Sequence, residues 1–104
     1  ETNKIDYSTA TLVDVRTNEE YEAGSAPGAK CIPLNTLPEN TESFKNFKKP
    51  IIVFCRSGAR SSQATSWLKQ NGIEVYNGGG LADVIKQIMW GIKAKYNMLI
   101  FCYL

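Results

Sequence analysis

The sequence contains no histidine and only three cysteines, Cys31, Cys55 and Cys102. Without histidine a catalytic cysteine–histidine pair is excluded, so a reactive cysteine needs another source of activation. The odd number of cysteines and the lack of a CxxC pair argue against a disulfide framework and against a zinc site. These counts give no reason to expect a metal, and the sequence as a whole implies no organic cofactor.

Long apolar runs and an excess of one charge are also missing. The formal net charge is +2, and no basic run is interleaved with aromatic residues, so we do not expect nucleic acid as a partner. The apolar tail at residues 98–104 is far shorter than the roughly 20 residues of a membrane span. We expect no membrane span and predict that this tail packs on the domain. The polar first seven residues do not form a signal peptide, which favours the cytoplasm and leaves the periplasm open if a leader was removed.

Predicted strands and helices alternate along the chain, whose 104 residues suffice for one domain with a core. Short apolar runs predict strands at residues 11–15, 30–32, 51–54 and 73–76. Thr17 and Glu20 have the spacing of a capping box, which opens a helix that Gly24 ends. Apolar residues spaced by three and four from Leu81 onward predict a long last helix. This alternation predicts a mainly parallel sheet with helices on both faces, and such sheets hold their sites at the carboxyl ends of strands.

The most informative segment begins at Cys55, directly after the apolar run at residues 51–54. It reads Cys-Arg-Ser-Gly-Ala-Arg and leads into a helix predicted over residues 61–70. A curled loop at this place turns backbone N–H groups inward, and the helix start adds partial positive charge on the same side. Both favour ionised sulfur and lower the pKa of the cysteine. Cys55 is thus the candidate nucleophile, and Gly58 lets the loop curl.

Several segments together resemble the rhodanese family of sulfurtransferases, in particular its single-domain members. Residues 12–16 are similar to the first-strand signature of that family, and Pro-Gly-Ala at 27–29 and Ile-Pro-Leu at 32–34 follow in its order. Residues 53–61 resemble its active-site loop, and residues 77–79 resemble its glycine turn. The resemblance covers about residues 12–83, and residues 91–104 stay unassigned. Where the family has Gly-His-Ile-Pro-Gly, this chain has Ser25 in place of the histidine.

The resemblance implies one three-layer α/β/α domain over residues 1–104, with a mainly parallel sheet of about five short strands. It also implies a thiosulfate-type sulfurtransferase, in which Cys55 takes a sulfane sulfur from an anionic donor such as thiosulfate. The resulting persulfide passes the sulfur to cyanide, a thiol or a protein acceptor. Inward N–H groups of the loop would hold the persulfide, and its two arginines would orient the donor. The implied substrate-binding residues are Arg56, Ser57, Gly58, Ala59, Arg60 and Ser61.

Two other functions remain open at this point. The domain could carry persulfide sulfur to one protein partner, or only bind that partner, with little turnover of small molecules. Cysteine-based phosphatases and arsenate reductases are the other alternative, but they place five residues between cysteine and arginine. Here four residues separate Cys55 from Arg60, and the smaller ring suits a sulfur atom better.

Other polar and small residues have a structural interpretation. Asp14 and Arg16 are expected to fix the end of the first strand rather than to touch substrate. Ser57 and Ser61 are interpreted as loop and helix-capping hydroxyls. Cys31 could resolve a Cys55 persulfide as a disulfide, but a core cysteine is the favoured interpretation. The glycines at residues 78–80 lack a GxGxxG or Walker pattern and are interpreted as a turn.

Overall fold

A computed structural model describes the backbone of residues 5–96 and the side chains of residues 5–92. The elements follow in the order β1 (Thr11–Asp14), α1 (Asn18–Ala23), β2 (Lys30–Cys31), a 3-10 helix (Leu34–Thr36), α2 (Leu37–Phe44), β3 (Ile51–Cys55), α3 (Ala59–Gln70), β4 (Tyr76–Gly80) and α4 (Leu81–Tyr96). The apolar tail lies outside the described residues. None of the described helices is long and apolar enough to cross a membrane.

The sheet is parallel throughout and has the strand order β2-β1-β3-β4. Every residue of β3 is buried because helices cover this interior strand on both faces. Val53 and its alternate neighbours pack in one core cluster with Leu37 and Leu68 from α2 and α3. Phe54 packs on the opposite face with Val84 from α4. The predicted three-layer α/β/α architecture is therefore confirmed.

The strand count and the position of the last strand differ from the prediction. The described residues form four strands rather than about five, and β4 runs over Tyr76–Gly80, where we predicted a glycine turn. These glycines make room for neighbours: a Cβ at Gly78 would stand 2.7 Å from Ile52 Cγ2, and one at Gly80 would overlap the carbonyl oxygen of Arg56. The apolar residues before β4, which suggested a strand at 73–76, instead fill the core from a loop.

Helix α1 begins and ends at the residues that the sequence predicted. Thr17 is the N-cap of α1, its hydroxyl accepts from the N–H of Glu20, and the Glu20 side chain accepts from the N–H of Thr17. Gly24 ends the helix with a φ of 144°. This capping box fixes Glu20 at the carboxyl edge of the sheet, beside the loop that follows β3.

Candidate active site

The loop after β3 places Cys55 at the carboxyl end of an interior strand, as predicted. Helix α3 begins at Ala59 rather than at residue 61, so its N-cap is Gly58 and not Ser61. Gly58 has a φ of 102°, a left-handed conformation that favours glycine. A Cβ at this position would also lie 3.4 Å from the Cα of Gly79. The early helix start closes the loop tightly around the sulfur.

Cys55 Sγ lies in a cradle of hydrogen-bond donors. The N–H of Gly58 donates to it at 3.0 Å, and the N–H of Ser61 donates at 3.4 Å. The hydroxyl oxygen of Ser61 lies 3.5 Å from the sulfur. Only 1% of the surface of Cys55 is exposed. The loop therefore turns its N–H groups inward on the sulfur, as the sequence predicted.

This cradle favours the thiolate form of Cys55. Burial by itself raises the pKa of the thiol, because it penalises the charged form. Hydrogen bonds from the Ser61 hydroxyl and from the backbone of Ser61, Ser57 and Gly58 outweigh burial and lower the pKa of Cys55 to about 7. Cys55 therefore ionises closer to neutral pH than an ordinary cysteine does, with no histidine involved.

Arg60 is paired with Glu20 at the edge of the loop. Its two terminal nitrogens donate to the two carboxylate oxygens at 2.7 and 3.1 Å. Hydrogen bonds from Arg60, and then from the N–H of Thr17, lower the pKa of Glu20 to about 2. The positive charge of Arg60 is thus balanced by Glu20, and its role in binding an anionic donor stays a prediction.

Arg56 is the exposed cation of the loop, and within residues 5–92 it forms no ion pair. It borders a cleft of about 640 Å³ between the end of α1 and the start of α4. The other residues that line this cleft are Arg16, Glu20, Ala23, Gly24, Ser25, Leu81, Ala82 and Ile85. Cys55 does not line it, so the cleft lies beside the sulfur cradle. Ser57 on the loop and Ala59 at the start of α3 are exposed.

Asp14 and Arg16 have the structural role predicted for them. Asp14 is fully buried and binds the guanidinium of Arg16 at 2.7 Å, while Arg16 also donates to the carbonyl of Gly24 at 2.7 Å. The hydroxyl of Ser25 donates to Asp14 at 2.7 Å. Ser25, which stands in place of the histidine of the family motif, therefore ties the loop after α1 to the end of β1.

Cys31 is not the core cysteine that the sequence favoured. It is partly exposed at the end of β2, and its thiol donates to Asn18 Oδ1 at 3.3 Å. Burial and then the charge of Asp14 raise the pKa of Cys31. Strand β1 separates Cys31 from β3, so its Cα lies two strand spacings, roughly 9–10 Å, from the Cα of Phe54. A disulfide requires Cα atoms less than about 7 Å apart, so Cys31 cannot bond directly to Cys55 in this arrangement.

Two contacts at the site were missed from the sequence. Glu20 was recognised as a capping residue, but its pairing with Arg60 joins positions far apart in the chain. Asn77 was assigned to a turn, whereas it lies in β4 and its Oδ1 accepts from the Ser61 hydroxyl at 2.7 Å. No group of three or more metal-ligating side chains occurs in the part of the chain that the structure describes.

Comparisons with known proteins agree with this geometry. Residues 2–84 match the family described as the Rhodanese-like domain. The chain is 37% identical over 90 residues to the uncharacterized protein YqhL of Bacillus subtilis, covering 86% of this chain and 67% of that protein. It is 33% identical over 91 residues to the tRNA uridine(34) hydroxylase of Buchnera aphidicola, covering 81% of this chain but only 29% of that protein. The chain thus spans less than a third of the hydroxylase.

A solved structure from Escherichia coli, described as rhodanese with anions, superposes with a TM-score of 0.64 and 33% identity. The match covers 71% of this chain and 89% of that one. The sequence match spans most of the chain, and the parallel sheet and the cysteine loop agree with it. The chain belongs to the family of rhodanese-like domains.

Proposed function

We propose that this domain is a sulfurtransferase that carries a sulfane sulfur as a persulfide on Cys55. The thiolate attacks the outer sulfur of thiosulfate, a new S–S bond forms on Cys55, and the S–S bond of the donor breaks to release sulfite. An acceptor thiolate or cyanide then attacks the outer sulfur. The S–S bond on Cys55 breaks, the acceptor leaves with the sulfur, and the thiolate is regenerated.

The observation that carries this proposal is the cradle around Cys55 Sγ. Donors from Gly58 and Ser61 converge on one sulfur atom and lower its pKa to about 7. Such a site supplies a nucleophile at neutral pH, and its inward N–H groups can stabilise the charge that moves to the outer sulfur of a persulfide. Arg56 would contact an anionic donor from the cleft side. The Escherichia coli rhodanese structure is described as holding anions, which supports this choice of donor.

The dimensions of the loop favour sulfur over a tetrahedral oxyanion. Four residues lie between Cys55 and Arg60, and Arg60 turns toward Glu20 rather than closing a ring over the sulfur. A phosphatase-type cradle needs its arginine to bind the transferred group. The geometry of the loop therefore supports phosphatase and arsenate reductase activity less well than it supports sulfur transfer.

A persulfide carrier for a protein partner is the second candidate. It is favoured by the near-complete burial of Cys55, which limits direct access to the sulfur, and by the hydroxylase relative, in which this domain is a minor part of a longer chain. In this case the persulfide forms in the same way, but the acceptor is a cysteine or another nucleophile on the partner.

Mass spectrometry after incubation with thiosulfate tests the proposal. We expect one added sulfur on Cys55, removable by cyanide, and retained in the control variant Cys31→Ser. Cys55→Ser should carry no adduct. Thiocyanate formation would then separate a turning-over enzyme from a carrier, which would hold the sulfur but pass it slowly to small acceptors. A protein that forms no adduct while it hydrolyses an aryl phosphate would exclude sulfur transfer in favour of the phosphatase.

A further inference from the structure

The Ser61 hydroxyl stands between Cys55 and Asn77 and is shared by both. It is fully buried and has one proton to donate. Four acceptors surround its oxygen: Asn77 Oδ1 at 2.7 Å, Gly58 O at 3.1 Å, Gly79 O at 3.4 Å and Cys55 Sγ at 3.5 Å. The proton can serve one of them well at a time, so the acceptor it selects affects the charge that the sulfur can carry.

The neighbours of Asn77 fix the orientation of its amide. The N–H of Gly79 meets one end of this amide at 2.9 Å, and because an N–H only donates, that end is the oxygen. The other end lies 3.3 Å from Gly58 O, which only accepts, so it is the NH₂ group. Ser61 meets the oxygen end at the shortest distance it has to any acceptor. In the resting structure the Ser61 hydroxyl therefore donates its hydrogen bond to Asn77 Oδ1.

We propose that Asn77 is a positioning residue. It accepts the hydrogen bond of the Ser61 hydroxyl while Cys55 is uncharged, and the hydroxyl turns to donate to the sulfur when Cys55 ionises. In the thiol state, Cys55 S–H donates to Ser61 Oγ, and Ser61 O–H donates to Asn77 Oδ1. When the thiol proton is lost to solvent, the Ser61 hydroxyl rotates and donates to the thiolate. Ser61 keeps its own proton throughout, and Asn77 Oδ1 keeps the hydrogen bond from Gly79.

The same rotation fits the proposed sulfur transfer, and this part rests on the proposed function. In the persulfide, Cys55 Sγ has two covalent bonds and the negative charge lies on the outer sulfur. The inner sulfur then no longer attracts the Ser61 proton as a thiolate does, and the hydroxyl can return to Asn77. Asn77 thus favours the persulfide state over the free thiolate at this position.

No charged side chain competes for the shared proton within residues 5–92. The charged residues around the loop are Arg56 on the loop itself, Arg60 in the first turn of α3, Asp14 and Arg16 at the end of β1, Glu20 on α1 and Asp83 at the start of α4. In this part of the chain none of them hydrogen-bonds to Ser61 or Asn77. The hydrogen bond of the Ser61 hydroxyl is therefore exchanged between the neutral amide of Asn77 and the sulfur of Cys55.

The test compares the pKa of Cys55 in four proteins: the natural chain, Asn77→Ala, Ser61→Ala and the double variant. The readout is the pH dependence of alkylation by iodoacetamide, which reacts with the thiolate. Asn77→Ala should lower the pKa by about 0.5–1 unit, since it frees the Ser61 proton for the sulfur. Ser61→Ala should raise the pKa by a similar amount, and adding Asn77→Ala to it should change nothing further.

A purely structural role for Asn77 predicts the opposite sign. If Asn77 only shapes the loop through Gly58 and Gly79, its removal misaligns the N–H groups and raises the pKa with or without Ser61. A raised or unchanged pKa in Asn77→Ala overturns the proposal, as does an equal shift in both backgrounds.

Asn77→Asp keeps the size of the side chain, with an oxygen in place of the NH₂ group that faces Gly58 O, and serves if the alanine variant does not fold. Its charged acceptor holds the Ser61 proton more strongly, so the pKa should rise by about one unit or more when Ser61 is present. The rise should be smaller in Ser61→Ala, where only the added charge acts, and an equal rise in both backgrounds overturns the proposal. None of these measurements uses a sulfur donor, so their outcome is independent of whether the domain transfers sulfur.

Discussion

Two arginine–carboxylate pairs lie at the carboxyl edge of the sheet, and they are built differently. Asp14 and Arg16 are two positions apart on one strand end, and their side chains are 0% and 8% exposed. Glu20 and Arg60 come from α1 and α3, and their side chains are 29% and 35% exposed. Both pairs have two or more short hydrogen bonds, so they differ in burial rather than in geometry.

Burial decides what each pair can do. A buried charge that loses its partner has no water to replace it, so opening the Asp14–Arg16 pair is costly for the stability of the domain. The Glu20–Arg60 pair can open at small cost because water solvates both partners. The first pair therefore supports the end of β1, whereas the second holds Arg60 at the edge of the loop by a bond that costs little to open.

The largest effect is expected from breaking the buried pair. Asp14→Ala leaves Arg16 buried with only the carbonyl of Gly24 as a partner and also removes the acceptor of Ser25. We expect it to lower the free energy of unfolding by about 3–5 kcal/mol, measured by urea denaturation. Asp14→Asn retains one acceptor and should cost less, and Glu20→Ala should cost less than either. Equal losses for Asp14→Ala and Glu20→Ala would contradict the difference in burial.

Replacing Arg56 and replacing Arg60 should weaken the binding of the donor to different extents, because within residues 5–92 only Arg60 is paired with a carboxylate. Arg56→Ala should raise the KM for thiosulfate about tenfold, because it removes the charge-assisted hydrogen bond that we propose Arg56 makes to the donor. Arg60→Ala should raise it only about two- to threefold, because that cation is already held by Glu20. Arg56→Lys keeps the charge without the planar guanidinium and should lie between. Steady-state kinetics at fixed cyanide would measure this, and a larger effect at Arg60 would mean that donor binding displaces Glu20.

The sequence was informative where the signal is contiguous. The cysteine loop and the capping box of Thr17 and Glu20 are short patterns with a local physical cause, so both were predicted, although the helix after the loop begins at Ala59 and not at residue 61. The last strand was not, because glycine is normally unfavourable in strands. Its cause lies in neighbouring elements, because a side chain at Gly78 would collide with Ile52 and one at Gly80 would collide with the carbonyl oxygen of Arg56.

Contacts between residues far apart in the chain could not be predicted from the spacing of residues in the sequence. Glu20 meets Arg60 across 40 positions, and Ser61 meets Asn77 across 16. Each depends on which helix or strand lies beside the loop, and therefore on the strand order of the sheet. The inward N–H groups around Cys55 could thus be predicted from residues next to it, whereas Glu20 and Asn77 could be placed at the site only from the fold.

The smallest effect is expected in acid, where protonation of Glu20 weakens the partly exposed Glu20–Arg60 pair. Hydrogen bonds from Arg60 and Thr17 lower the pKa of Glu20 from 4.5 to about 2. Because the folded-state pKa is the lower one, Glu20 contributes its full stabilisation above about pH 5 and loses it as the pH falls toward 2. Glu20→Gln keeps an acceptor for the capping box but not the charge. Chemical denaturation of both proteins should show the natural chain to be more stable at pH 6 by a margin that shrinks between pH 5 and 2. A margin that does not change with pH would mean that Glu20 acts through the capping box alone, and that its pairing with Arg60 adds nothing to stability.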